Sequence, residues 1–209
     1  ARRTPAHMWF RVPNQIYFNL NAVENLRHLD SRSTVIVTNP EMERMGHVDI
    51  LRRHIRPQTL VHVSIIPAAE PEVKVVMEGV EALNFYKADQ IIALGGGSVI
   101  DAAKIMKLKY ESPQADLEEL AAPFMDIRKR VVEYPTIKIN HARLIAISTT
   151  SGTGSEVTPF AVLSDKTRGR KVTLADYSLT PDVAIVDSLH RLERHAGDPV
   201  GLQVFADRV

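Results

Sequence analysis

Short runs rich in β-branched residues alternate along this chain with longer segments of helical period, and that alternation narrows the fold to a parallel sheet built from β-α-β units. Strands read directly at residues 34–38, 60–65, 90–94 and 143–148. Between them, residues 41–55 and 71–86 have helical period, the second with Pro71 at its expected first helical position. Residues 98–110 form a third helix, whose apolar positions Val99, Ile100, Ala103, Ile105, Met106 and Leu108 are broader than one stripe. Such a helix is expected to be covered on two sides. Residues 117–130 read as a surface helix interrupted near Pro123. Beyond Ser148 the period changes: residues 159–163 and 171–174 flank 165–170, whose composition suits a hairpin turn, so an antiparallel ribbon appended to the sheet is expected. A last strand is expected at residues 182–186, before a polar tail.

Composition restricts the partners. With 26 basic and 25 acidic side chains among 209 residues, the formal charge is +1, which leaves no cationic surplus for nucleic acid or an acidic membrane surface. The absence of cysteine removes disulfides, thiolate nucleophiles and cysteine metal sites, and a reducing, cytoplasmic location is expected. The basic start, Ala1 to Pro5, precedes no apolar core of signal-peptide length, and no run approaches the ~20 apolar residues of a bilayer span, so a soluble protein is expected.

The strongest local signal is the strand that runs through Leu94 into Gly95, Gly96 and Gly97 and then into the helix carrying Ser98 and Asp101. Glycines let backbone approach a phosphate, and the helix N-terminus favours negative charge, so a pyrophosphate is a natural guest. The spacing differs from Gly-x-Gly-x-x-Gly. The alternative is a plain turn in which Ser98 caps the helix and Asp101 reciprocates from the third position. At this level both readings stand open.

A second signal, residues 148–158, follows another strand and is crowded with hydroxyls, including Thr149, Thr150, Ser151, Thr153 and Ser155. Open α/β sheets bind ligands at the carboxyl ends of their strands, so this loop is expected to supply a second wall. It is no Walker loop, because no lysine lies between Arg143 and Lys166, and neither Ser151 nor Ser155 sits in a Gly-x-Ser-x-Gly elbow. By itself it is equally a polar loop with local side-chain caps. The eight histidines include no pair at three- or four-residue spacing, and His190 and His195 lie among arginines as on a solvated face.

Together these words resemble the iron-containing alcohol dehydrogenase family, and more closely the alcohol dehydrogenase half of bifunctional aldehyde-alcohol dehydrogenases. The matching stretches are residues 9–18, 93–98 with Asp101 to Lys104, 124–130, 149–160 and 174–187, in the family's order. The resemblance implies reversible hydride transfer between NADH and a short-chain aldehyde, with iron(II) as Lewis acid. It places Gly96, Gly97, Ser98 and Asp101 at the pyrophosphate, Thr149, Thr150, Val162 and Lys171 along the nicotinamide and its ribose, and Asn39 and Glu70 at the adenosine ribose. Filaments of the bifunctional relatives make homo-oligomers an expectation by resemblance alone. The family's iron ligands, one aspartate and three histidines, belong to a C-terminal helical domain, and the Gly-x-Asp-Ala-x-x-His word that carries the aspartate is not found after Asp187. No catalytic or metal-binding residue is therefore assigned. The expectation is an α/β, Rossmann-like, doubly wound and mostly parallel sheet with an appended β-hairpin and without the metal domain: a leader at 1–8, an NAD-binding domain at 9–187 and a divergent tail at 188–209. A non-catalytic dinucleotide-binding or assembly module, and a glycerol dehydrogenase-like enzyme, are the rival readings.

Overall fold

The computed structural model describes residues 11–67, 71–121, 140–165, 170–187, 192–194 and 202–204. Six parallel strands form the main sheet: β1 (Gln15–Phe18), β2 (Ser33–Thr38), β3 (Leu60–Ile65), β4 (Gln90–Gly95), β5 (Arg143–Ser148) and β8 (Val183–Val186), in the order β1-β8-β5-β4-β2-β3. β2 and β4 are buried along their whole length, which is why their sequences read as continuous apolar runs rather than alternating ones. One face packs Val35, Val37, Ile91, Ala93, Leu144 and Ala146 against helices α3 (Val73–Tyr86) and α4 (Gly97–Glu111). The opposite face packs Ile36, Ile92, Leu94, Ile145 and Ile147 against the 3-10 turn Ala22–His28 and helices α1 (Pro40–Arg44) and α2 (His47–His54). The sheet is thus doubly wound, as expected.

α4 is the most enclosed helix among the described residues: within it only Gly97, Ser98 and Lys109 escape burial. The sheet lies beneath it, α3 beside it, and the antiparallel ribbon β6 (Phe160–Asp165) and β7 (Arg170–Ala175) over it. It lies close to α3 at Gly79, where a Cβ would displace the thioether end of Met106.

Several details correct the sequence reading. Residues 41–55 are two helices, because Gly46 takes a left-handed φ of 78° that interrupts the helical ladder. Pro71 is not the first residue of α3, which begins at Val73; its carbonyl instead accepts the Ser164 N–H at 3.0 Å. The expected antiparallel hairpin does form, as β6–β7, a two-stranded sheet of its own. β1, unmarked by any local pattern, adds a parallel edge strand beside β8. Of the helix expected at 117–130 only α5 (Leu117–Leu120) is described, and residues 124–130 lie outside the described set. Within the former tail, β9 (Leu192–Arg194) and β10 (Leu202–Val204) pair antiparallel. No helix among the described residues is long and apolar enough to cross a membrane.

Candidate cofactor site

Chain order places β3 on one side of β2 and β4 on the other, and this reversal opens a crevice at the carboxyl ends of β2 and β4. The register aligns Thr38 with Leu94 and Gly95 with Ser148, so Asn39, the glycine turn and the hydroxyl-rich loop emerge at the same end of the sheet. The Thr38 hydroxyl donates to the Leu94 carbonyl at 2.8 Å, and the Thr149 N–H donates to the Gly95 carbonyl at 3.1 Å. These bonds tie the three strand ends together.

The two loops touch. A Cβ at Gly96 would lie 3.1 Å from Thr150 Cγ2, and one at Gly97 would lie 3.0 Å from Thr153 Cγ2 and 3.2 Å from Ser155 Oγ. A side chain at either position would press on the second loop, whose threonines would have to shift to admit it. Thr150 Oγ1 is buried over Gly96 with no hydrogen-bond partner among the described residues.

The reciprocal cap between Ser98 and Asp101 does not form. α4 starts at Gly97 with Gly96 as its cap residue and no side-chain capping bond, while Asp101 Oδ2 accepts the Val162 N–H at 3.0 Å. The carboxylate is turned towards β6 instead of back along its own helix. Burial raises its pKa, against the lowering pull of Lys104, the Val162 N–H and the Ser155 hydroxyl.

A cleft of ≈ 330 Å³ lies beside this helix start, and five of the expected residues line it: Gly97, Ser98, Asp101, Val162 and Lys171. Gly96 and Thr150 adjoin it through the loop contact, and Thr149 is buried beneath. Asn39 stands at the end of β2, where its Oδ1 caps α1 by accepting the Met42 N–H at 2.9 Å. Glu70 lies outside the described residues. Pro71, Thr153, Ser155 and Ser164 also line the cleft, although none of them was assigned a cofactor contact from sequence. Thr153 and Ser155 belong to the hydroxyl run, and Ser164 shares a face of β6 with Val162, two residues away, so only the last needed the strand's register to be found.

A larger opening, ≈ 830 Å³, sits at the amino-terminal ends of β4, β5 and β8, and includes His28, Asp89, Lys107, Glu111, His141 and Asp182. Its charged groups mainly serve the fold: Lys107 Nζ pairs with Asp182 Oδ2 at 2.9 Å, the same oxygen accepts the Leu144 N–H, and Glu111 accepts the Ala142 N–H. Size favours this opening, but the smaller cleft has the helix start, the glycines and the second loop, so chemistry favours the smaller one. Among the described residues no three histidine, aspartate or glutamate side chains converge to hold a metal ion. The described residues therefore do not fit an iron site.

Residues 13–188 match the family model of iron-containing alcohol dehydrogenases. Aldehyde-alcohol dehydrogenase 2 of Entamoeba histolytica is 45% identical over 205 residues, a match covering 94% of this chain and 23% of that protein. The bifunctional aldehyde-alcohol dehydrogenase of Escherichia coli is 43% identical over 193 residues, covering 90% of this chain and 22% of its own length. Among solved structures, the iron-containing alcohol dehydrogenase of Thermococcus thioreducens superposes with a TM-score of 0.74 at 28% identity, over 87% of this chain and 47% of that one. The chain thus spans under a quarter of the length of those curated relatives. By the extent of the family match, this chain belongs to the iron-containing alcohol dehydrogenases.

Proposed function

We propose that residues 9–187 form the NAD(H)-binding part of an alcohol dehydrogenase that interconverts short-chain aldehydes and alcohols by hydride transfer, in a reducing, cytoplasmic setting. The observation that carries this reading is the contact of two loops, from β4 and β5, over the start of α4. A helix start with glycine-only approach accepts a pyrophosphate without a side chain in the way. Gly96, Gly97 and Ser98 hold the phosphates, and Lys171 adds positive charge across the cleft. Thr149, Thr150 and Val162 form the side towards the nicotinamide; the Thr150 hydroxyl, without a partner among the described residues, supplies a hydrogen bond there. Asn39 and Glu70 are assigned to the adenosine ribose. NAD supplies the hydride chemistry when bound.

The protein's own residues bind, orient and exclude water. Family membership brings the expectation of iron, but no described residues fit it, so no step is assigned to it. Calorimetric titration of the full chain with NADH tests the binding part: saturable binding supports it, and no heat of binding contradicts it. An assay for alcohol-dependent NADH formation with added ferrous iron then separates a catalytic chain from a dinucleotide-binding module.

A further inference from the structure

Helix α4 carries a buried lysine to which the cofactor reading gives no task. The Lys104 side chain is 0% exposed, and its Nζ donates to the carbonyls of Thr158 at 2.9 Å and Phe160 at 2.6 Å. Three residues earlier on the same face, Asp101 places Oδ1 3.6 Å from that Nζ and accepts the Val162 N–H through Oδ2. Two neighbouring residues of α4 thus hold positions 158, 160 and 162, the segment that leads into β6. The other end of the loop is tied by Thr149 to Gly95. Between the two ties lies the wall whose Thr150 and Thr153 rest on Gly96 and Gly97.

The charges there are unbalanced. Glu156 in the same loop is buried, its Oε2 has no hydrogen-bond partner among the described residues, and its charge acts on Lys104. One ammonium therefore serves two buried carboxylates, and Asp101 also lines the cleft where a pyrophosphate would add negative charge. From the ribbon, Lys171 faces the cleft beside Asp101. Further along α4, Lys107 and Glu111 are turned towards Asp182 and Ala142 at the opposite end of the sheet.

We propose that Lys104 is a positioning residue for the cofactor cleft, whose ammonium fixes the hydroxyl-rich wall and offsets Asp101 and Glu156 so that a pyrophosphate settles on the start of α4. This rests on the NAD(H) reading. Burial lowers the Lys104 pKa from 10.5 to about 8, although Asp101 and Glu156 pull the other way. Above that pH the neutral amine still donates hydrogen bonds to the carbonyls, but the buried charge that offsets Asp101 from within α4 is lost. Wall and charge are therefore separable by pH.

The test measures NADH affinity of the full chain across a pKa of about 8 for the wild type, Lys104→Met and Asp101→Asn, together with amide hydrogen exchange at Thr149 and Val162. Wild-type affinity is expected to fall as pH rises through that value, with proton uptake on binding below saturation of the ammonium. Asp101→Asn should move the fall to lower pH, because a carboxylate that raises the Lys104 pKa is gone. Lys104→Met should bind about tenfold more weakly with a flat profile, and exchange faster at Val162 with or without NADH. Equal affinity and an unchanged profile in Lys104→Met overturn the proposal. Should that variant not fold, a wild-type profile flat through the same range, or one that Asp101→Asn leaves unaltered, overturns it equally. A wild type without NADH affinity overturns the cofactor reading and this proposal together, whereas wild-type binding with unaltered variants overturns this one alone.

Discussion

Gly97 and Thr153 meet so closely that a methyl on the glycine would stand 3.0 Å from Cγ2 of the threonine. A side chain at position 97 therefore disturbs the second loop before it meets any ligand. Gly97→Val is expected to destabilise the chain by about 1–3 kcal/mol, as overpacking does, and to weaken NADH binding as well. Thr153→Ser, which removes Cγ2, should recover part of the stability in Gly97→Ala. Urea unfolding of the single and double variants checks this, and simple additivity would contradict the contact.

Asn39 has a structural task in addition to its proposed one. Because its Oδ1 caps α1 through the Met42 N–H, Asn39→Ala should cost about 1 kcal/mol. Asn39→Asp keeps the cap and adds a negative charge, which should repel the 2′-phosphate of NADPH and weaken that cofactor by about tenfold while sparing NADH. Dissociation constants for both cofactors decide it. An equal effect on the two would leave Asn39 as a cap alone.

Lys104 gives stability a pH dependence of known sign. Its folded pKa of about 8 lies below the ordinary 10.5, so between these values the unfolded chain holds a proton that the folded chain has released. The group therefore makes the unfolding free energy rise with pH across that window, and below it contributes a constant cost of burying the charge. The wild type should gain roughly 1–3 kcal/mol on Lys104→Met as pH rises through the window. Denaturant titrations of both chains at its two ends measure this, and a constant difference would contradict the lowered pKa.

Asp187 joins the last strand of the sheet to the first connection. Its carboxylate, 0% exposed, accepts the N–H groups of Asn21 at 3.2 Å and Val23 at 3.0 Å. Asp187→Ala leaves the buried Val23 N–H without its acceptor, while Asn21 is exposed, and is expected to cost about 1–3 kcal/mol, with Asp187→Asn milder because one acceptor survives. Thermal unfolding of the two variants would rank them, and the reverse order would count against the bond pair.

Sequence showed most of the sheet because β2, β4 and β5 are buried on both faces and so are written as unbroken apolar runs. β1 escaped because its four residues are mostly exposed and take their strand geometry from β8, which lies far away in the chain. The break between α1 and α2 was hidden for a local reason: helical period continues through Met45 and Gly46, and only the left-handed φ at Gly46 separates them. The glycine turn and the hydroxyl-rich loop were legible as chemistry. The partner of Asp101 was not, since Val162 is 61 residues away and a capping box would have satisfied the same local pattern. Lys104 stood in plain view beside Asp101, but its role depends on carbonyls that reach it only through the ribbon over α4.

The central claim is that NAD(H) lies with its pyrophosphate on the start of α4, against the loop that follows β5. Amide chemical shifts of the isotope-labelled chain, followed during titration with NAD, test this most directly, because the two candidate openings lie at opposite ends of the sheet. The account predicts saturable shifts centred on Gly96, Gly97, Ser98, Thr150 and Thr153. Shifts confined to the neighbourhood of His28, Glu111 and His141, or none at saturating cofactor, would contradict it.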